Sequence, residues 1–441
     1  MRGNVPVSKG KSLLLLIVVL VLVVLAVLVV SARTNAPEAA PSPVPTPEPT
    51  PAPTSPPTPE PTPESEPGNL LARLTLAGDI VPALSLYGEA KQDDGSYDFS
   101  YYFQDVTHYI READYASCCL EAALCGEGLR YRDYPLFRAP DGLAETLKTV
   151  GFDLVALASN HGMDGGKEGL DRTLDVMDGL GLDHVGTFRT QEERDESHGV
   201  LLKDLNGIRI AFVDYTYGTN GIPMDDCPYA MNVYTSDYMT SCSIPRKELF
   251  AEDMAYAKSL EPDLIAVIMH WGAEYFSPRQ PAQTQVAEYL FSLGADLVIG
   301  GHPHVPQPME TVEIQNPDGT TRTGFLCYCL GNLMADMQEA DHPNCSLTAL
   351  VQIDVVKDVE SGETTLRQVE YVPLLIMDRL DYGVRGGWRF RLLDLRKTLD
   401  DVEAGRDTGL NKDMIGDMKY RLKKIESIMG PELVYSEETK E

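Results

Sequence analysis

Beyond residue 70 this sequence predicts an α/β domain, and three observations predict it. Apolar, β-branched runs alternate with amphipathic helical stretches, the pattern of strands buried by helices. The apolar runs end in chemically useful polar residues, and strand ends are where ligands bind in open α/β folds. Strand content also grows richer toward the C-terminal half, which implies a mixed sheet or two packed sheets.

The first 70 residues differ from the rest. Residues 13–30, "LLLLIVVLVLVVLAVLVV", are uninterrupted apolar residues, and a helix of that length covers roughly 27 Å, close to the bilayer's hydrocarbon thickness. Arg2, Lys9 and Lys11 precede it, so the positive-inside rule sets residues 1–12 in the cytoplasm, an anchor at 13–32, and everything after it outside the cell. A cleaved signal peptide is the competing reading. The apolar core is longer than the roughly 7–15 residues usual for one, and "VVSA" is a weak cleavage site. A single-pass anchor in the cell membrane is therefore expected. No cysteine precedes Cys118, which argues against lipidation at this end.

Residues 33–69 read as a stalk. Fourteen of the chain's 31 prolines lie between Pro37 and Pro67, interleaved with Thr, Ser and Glu. Such a segment cannot bury apolar surface and is expected to be extended, reaching on the order of 90 Å at about 3.1 Å per residue.

In the domain itself, strands are expected at "LARLTLAG", "YASCCLE", "DLVALAS", "HVGTF", "RIAFVDYT", "DLIAVIMHW", "ADLVIGG", "FLCYCLGN" and "LTALVQIDVV". Helices are expected over 100–112, 141–150, 166–180, 246–260 and 279–293. The domain is bounded at 70–376. Residues 377–441, a basic stretch followed by an amphipathic pattern over 411–428, read as a C-terminal appendage. Of the eight cysteines, Cys227 and Cys242 are expected to pair across a loop, whereas "CC" at 118–119 and "CYC" at 327–329 read as buried free thiols. The formal charge of -30 argues against a nucleic-acid partner, because no basic domain is present to neutralise phosphates.

Polar residues at the strand ends carry the chemistry. "LTLAGD" ends at Asp79, "CCLE" at Glu121 and "LVALASNH" at Asn160 and His161. "IAVIMHWGAE" carries His270 and Glu274, and "LVIGGHPH" ends at His302 and His304. Taken singly, Asp79 reads as a turn cap, Glu121 as a solvated helix start and His270 as a core histidine. Asp164 reads as the N-cap of the helix beginning near Gly166. Together, oxygen and nitrogen donors of this mixture describe a site for one or two divalent ions of Mn, Fe or Zn, and no Cys/His finger spacing points to structural zinc.

In the order "GD", "xLE", "SNHxxDxG", "HWGxEY", "GGHPHVxQPxE" and "LGN", these residues resemble the capsule-synthesis CapA (poly-γ-glutamate capsule) family, a branch of the calcineurin-like metallophosphoesterases. The resemblance covers about Leu71 to Asp354. It implies a four-layer α/β/β/α sandwich and a role in synthesis, export or anchoring of an anionic capsule polymer, with that polymer or its synthase complex as partner. It also implies Asp79 and His304 on a first metal, Asn160, His270 and His302 on a second, and Glu121 bridging them. His161 would be the general acid, and Glu274 and Asp164 would face substrate. Two departures stand out. Val81 occupies the place of a metal-binding histidine, and Cys119 replaces an asparagine before "LE". The implied activities are a metal-dependent hydrolase, a non-catalytic polymer-binding member of a synthase complex that also uses Arg385, Arg389 and Arg391, or an envelope phosphoesterase with no capsule role.

Overall fold

The structure is a computed structural model and describes residues 68–434 apart from 127, 317–318, 338 and 432. The anchor expected at 13–32 and nearly all of the stalk lie outside the described residues. Among the described residues no helix is long and apolar enough to cross a membrane.

The chain opens with β1 (Asn69–Ile80), followed by the short helices α1 (Leu84–Ala90), α2 (Ser100–Phe103) and α3 (Thr107–Arg111). The single helix expected over 100–112 is thus two. Next come β2 (Tyr115–Leu120), the small pair β3 (Ala123–Leu124) and β4 (Arg138–Ala139), α4 (Gly142–Val150), β5 (Leu154–Ala156), α5 (Gly166–Leu180) and β6 (Asp183–Val185). After α6 (Gln191–Ser197) the chain forms a hairpin, β7 (Leu201–Leu205) and β8 (Ile208–Thr216). Then α7 (Lys247–Ser259), β9 (Leu264–His270), α8 (Pro281–Leu293) and β10 (Leu297–Gly301) alternate. Strands β11 (Met309–Gln315), β12 (Thr321–Cys327), β13 (Asn332–Met334), β14 (Leu347–Asp358), β15 (Thr364–Asp378) and β16 (Phe390–Asp394) follow. The chain closes with α9 (Leu395–Glu403), α10 (Lys412–Met429) and β17 (Leu433–Val434).

Two large sheets result. The nine-stranded sheet runs β16-β15-β14-β1-β2-β5-β6, with β13 on β1 and β17 on β15; the six-stranded sheet runs β11-β12-β10-β9-β8-β7. In both, parallel strands are flanked by antiparallel ones. Side-chain alternation along the strands sorts the apolar residues into layers. Ala72, Leu74 and Leu76 of β1 meet Phe212, Ala266 and Ile299 of the other sheet in an inner core. Leu143, Leu170 and Leu174 of the helices pack on Leu120 and Val155 on the outer face of the nine-stranded sheet. Phe250, Met254 and Leu290 do the same for the six-stranded sheet. The stacking is helix, sheet, sheet, helix.

One irregularity matters for the site. The register of β1 on β2 shifts between Leu76 and Asp79. Before it, even-numbered residues face the inner core; after it, Ile80 faces the outer helices. A one-residue slip changes which face a side chain meets, and here it turns Asp79 inward. Gly78 allows the bend, since a Cβ there would fall 1.9 Å from the Gly331 carbonyl oxygen.

Two expectations need correction. Residues 377–441 are not a separate appendage. The expected boundary cuts through β15, β16 pairs with β15 from Leu374–Asp394 to Asp378–Phe390, and Leu395, Leu399, Met414, Met418 and Ile425 belong to the inner core. The amphipathic pattern of α10 has a packing purpose. Arg389 and Arg391 of this segment are tied to Asp378 and Asp105. All eight cysteines are free thiols, so Cys227 and Cys242 do not pair; Cys227 packs in the outer core and the Cys242 thiol donates to the Tyr238 carbonyl at 3.2 Å.

The C-terminal helix is therefore expected to stabilise the whole domain. Met418→Ala, which empties a fully buried position, is expected to cost about 2–5 kcal/mol in a denaturant titration of the full chain. Little or no cost would restore the reading of a detachable appendage.

Candidate metal centre

The parallel strands of both sheets end on one side of the inner core, and their ends supply the polar residues. From the nine-stranded sheet come Asp79 at the end of β1, Glu121 just past β2, and Asn160 and His161 past β5. From the six-stranded sheet come His270 at the end of β9, and His302 and His304 past β10. All seven are buried. The "GGHPH" segment turns sharply: His302 has φ 93° and His304 has φ 60°. Side chains with a Cβ rarely adopt that region, at a cost on the order of 1–3 kcal/mol each. The Asp79 carboxylate offsets part of it by accepting the His302 amide proton at 2.7 Å.

Glu121 sits at the middle. Its Oε1 lies 3.6 Å from His270 Nε2, 3.8 Å from His304 Nε2 and 3.9 Å from His161 Nε2. Among the described residues neither of its oxygens finds a hydrogen-bond partner, nor does Asp79 Oδ1 or His302 Nδ1. Asp79 Oδ1 is 3.8 Å from His270 Nδ1, and Asn160 Oδ1 is 2.7 Å from His270 Nε2. Donor atoms within 4.8 Å of one another group as Asp79, Glu121 and His304, and as Glu121, His270 and His302, so Glu121 is common to both. A third group adds the exposed Glu274 to His302 and His304.

Electrostatics fit a cation. Burial, with Glu121 adding repulsion and His270 opposing it, pushes Asp79 up to about 6. Burial raises Glu121 as well. Burial pushes His270 down to about 4 and holds His302 well below its ordinary value. The two histidines are thus neutral donors at physiological pH. Among the described residues both Glu121 oxygens and Asp79 Oδ1 are buried with no donor to satisfy them, a penalty of several kcal/mol that a divalent ion would reverse. The residues present fit such an ion; mixed oxygen and imidazole donors do not select which one.

Around these donors lie residues that orient them. His161 Nδ1 is 2.7 Å from Asp164 Oδ2, and Nε2 faces Asn220 Nδ2 at 3.0 Å and Glu121 Oε1 at 3.9 Å. Burial opposes charge on His161, but the bond to Asp164 and the nearby Glu121 and Glu274 outweigh it and raise its pKa. Asp164 is not the N-cap expected for α5. Gly165 holds that position, and the Asp164 carboxylate turns inward to His161 and the Phe137 amide. Glu274 stands at the exposed rim. Val81 is buried in the outer core and supplies no donor.

Three neighbours were given no role from the sequence. Asn332 Oδ1 lies 2.9 Å from His304 Nδ1, and its Nδ2 donates to the carbonyls of His304 and Cys345. Asn332 thereby fixes the ring so that Nε2 faces Glu121. It stands in "LGN", whose composition alone carries no ligand signal. The Tyr217 ring lies against His302, centroids 4.6 Å apart and tilted by 48°, and Asn220 contacts both Asn160 and His161 at 3.2 and 3.0 Å. Nothing in "YTYGTNG" marks them, since a loop's approach to a site is a tertiary matter.

Two outcomes are expected. Manganese affinity, measured by titration calorimetry, stays level from pH 8 to 7 and then weakens about tenfold per pH unit for each proton displaced below about 6. The sign follows from Asp79, which holds its proton below about 6, whereas His270 does not compete until about 4. Gly301→Ala would set a Cβ 2.4 Å from Asp79 Oδ1 and is expected to weaken manganese binding by about 10–100-fold, the loss usual when a ligand's support is disturbed. An unchanged affinity would show that Asp79 is not held where described.

The chain is 26% identical over 270 residues to the capsule biosynthesis protein CapA of Bacillus anthracis, covering 60% of this chain and 59% of that protein. It is 29% identical over 192 residues to the PGA biosynthesis protein CapA of Bacillus subtilis strain 168, covering 44% and 45%. The aligned part thus spans less than two thirds of either relative. A crystal structure of a phosphatase from Mycoplasma pneumoniae aligns with 69% of this chain and 94% of its own at 14% identity, with a TM-score of 0.36, a likeness too loose to argue from. The family described as bacterial capsule synthesis protein PGA_cap matches residues 73–337, more than half of the 441 residues. The chain belongs to the bacterial capsule synthesis protein PGA_cap family.

Proposed function

We propose that this chain is a membrane-anchored, outward-facing protein of capsule or envelope polymer metabolism, acting on poly-γ-glutamate or its synthase complex as a metal-dependent hydrolase. The observation that carries the chemistry is Glu121, a fully buried carboxylate with no hydrogen bond, set among His161, His270 and His304. The apolar run at 13–30 and the proline-rich segment after it supply the anchor and spacer in this reading.

A divalent ion held by Asp79, Glu121, Asn160, His270, His302 and His304 would supply positive charge against the anion that develops at the scissile group. The chain's own residues do the rest. His161 presents Nε2 to the pocket and gives a proton to the leaving atom, and Asp164 holds the ring and stabilises its charged form. Asn332 and Asn160 fix His304 and His270. Tyr217 covers His302 on one side, and Glu274 meets substrate at the rim. The bond is a phosphoester or the amide of polyglutamate.

Val81 favours a second reading. With no histidine there, the Asp79 side has fewer nitrogen donors than related phosphoesterases, which suits a chain that binds the polymer's carboxylates without turnover. An envelope phosphoesterase with no capsule role is the third.

The full chain, assayed with manganese on a phosphodiester and on poly-γ-glutamate, separates the three. His161→Ala is expected to lower turnover by about 10²–10⁴-fold while manganese binding is kept. Turnover untouched by that substitution would sink the catalytic assignment. A capsule defect in cells without turnover in the test tube would establish the second reading, and phosphodiester turnover with no capsule defect the third.

A further inference from the structure

We infer that Cys119 is a metal ligand, and that its thiolate makes the Asp79 side of the centre a position for a soft divalent ion of the zinc class. This rests on the reading of the centre as a metal site. Cys119 and Asp79 are register partners on the adjacent parallel strands β1 and β2, so their side chains emerge together on the inner face. From the opposite sheet, His270 turns Nδ1 toward both, 3.8 Å from Asp79 Oδ1 and 3.9 Å from Cys119 Sγ. All three donor atoms lie within 4.8 Å of one another. This is the other edge of the His270 ring from Nε2, which faces Asn160 and Glu121.

Two independent observations point to a guest there. Asp79 Oδ1, on a side chain with 0% exposure, has no partner at hydrogen-bond geometry among the described residues. A cavity of about 20 Å³ opens against Asp79, Cys119 and His270, with Ser117, Cys118 and Gly301 among the other residues of its wall. That is room for one atom-sized occupant. The donor chemistry then sets the selectivity. Val81 offers nothing on this side and an asparagine at 119 would add another hard oxygen, whereas a thiolate with one carboxylate and one imidazole selects zinc, cadmium or cobalt over manganese and magnesium. As the sulfur–metal bond forms, the S–H bond breaks and its proton leaves to solvent; the His270 ring keeps its proton on Nε2, donated to Asn160 Oδ1, so Nδ1 gives its lone pair without losing one, and nothing is oxidised.

The full chain in detergent, loaded with cobalt(II), tests this. The expected spectrum has thiolate-to-cobalt charge-transfer absorption in the near ultraviolet together with visible ligand-field bands. Cys119→Ser removes the first and keeps the second, and Cys118→Ser, whose thiol faces the outer core, keeps both. Zinc and cadmium affinity falls by at least about tenfold in Cys119→Ser, and manganese affinity changes less than about twofold. If that variant does not fold, X-ray absorption of the zinc-loaded unaltered chain decides, with one sulfur expected at about 2.3 Å. Bound cobalt without the charge-transfer band, or zinc without a sulfur neighbour, overturns the role of Cys119 and leaves the centre standing. No bound cobalt overturns both.

Discussion

The His302 amide donates to the Asp79 carboxylate at 2.7 Å, and this buried bond spans the two sheets. It joins the end of β1 to the turn after β10 at the point where their strands finish. Every other donor depends on that junction. Asp79, Glu121 and Asn160 hang from one sheet and the three histidines from the other, so the set exists only while the sheets keep their alignment. The close approach needs glycine: a Cβ at Gly300 would fall 1.8 Å from the Tyr328 carbonyl oxygen, and one at Gly301 would strike Asp79. The positive φ of His302 and His304 is the local cost of meeting it.

Charge explains why such a junction is tolerable. Two buried carboxylates that share a single amide donor would destabilise a fold, and His270 and His302 beside them are held neutral by the same burial. The centre is poised between these penalties, and a divalent ion would relieve the carboxylates without requiring His270 and His302 to lose protons. Packing supplies the rigidity. The inner core runs from β1 through β9 and β10 to α9 and α10, so the C-terminal helices hold the floor on which the strand ends stand.

Much of the fold was legible because its strands are continuous apolar runs that must be buried on both faces. β1, β2, β8, β9, β10 and β14 fall where composition sets them. Other elements were not. α6 buries no residue and so carries no apolar period; it is held by Thr190, whose side chain accepts the Glu193 amide proton. β15 interleaves Arg367, Glu370 and Pro373 with its apolar residues and runs past the expected boundary at 376. Asp164 carried the grammar of an N-cap, but the pull of His161 and a buried amide decided its direction.

By itself the sequence determined which residue types stand at the strand ends, because a chain that alternates apolar strands and helices exposes polar groups where each strand stops. It also determined that the centre would be made of carboxylates, an amide and imidazoles, and that Val81 and Cys119 break the pattern. Only the tertiary structure decided which nitrogen of each ring faces which carboxylate, since that depends on the register slip at Gly78 and on neighbours such as Asn332 and Asn220, far away in the chain. It decided too that Cys119 lies beside Asp79 and His270, because strand register and sheet packing set those distances and local composition does not.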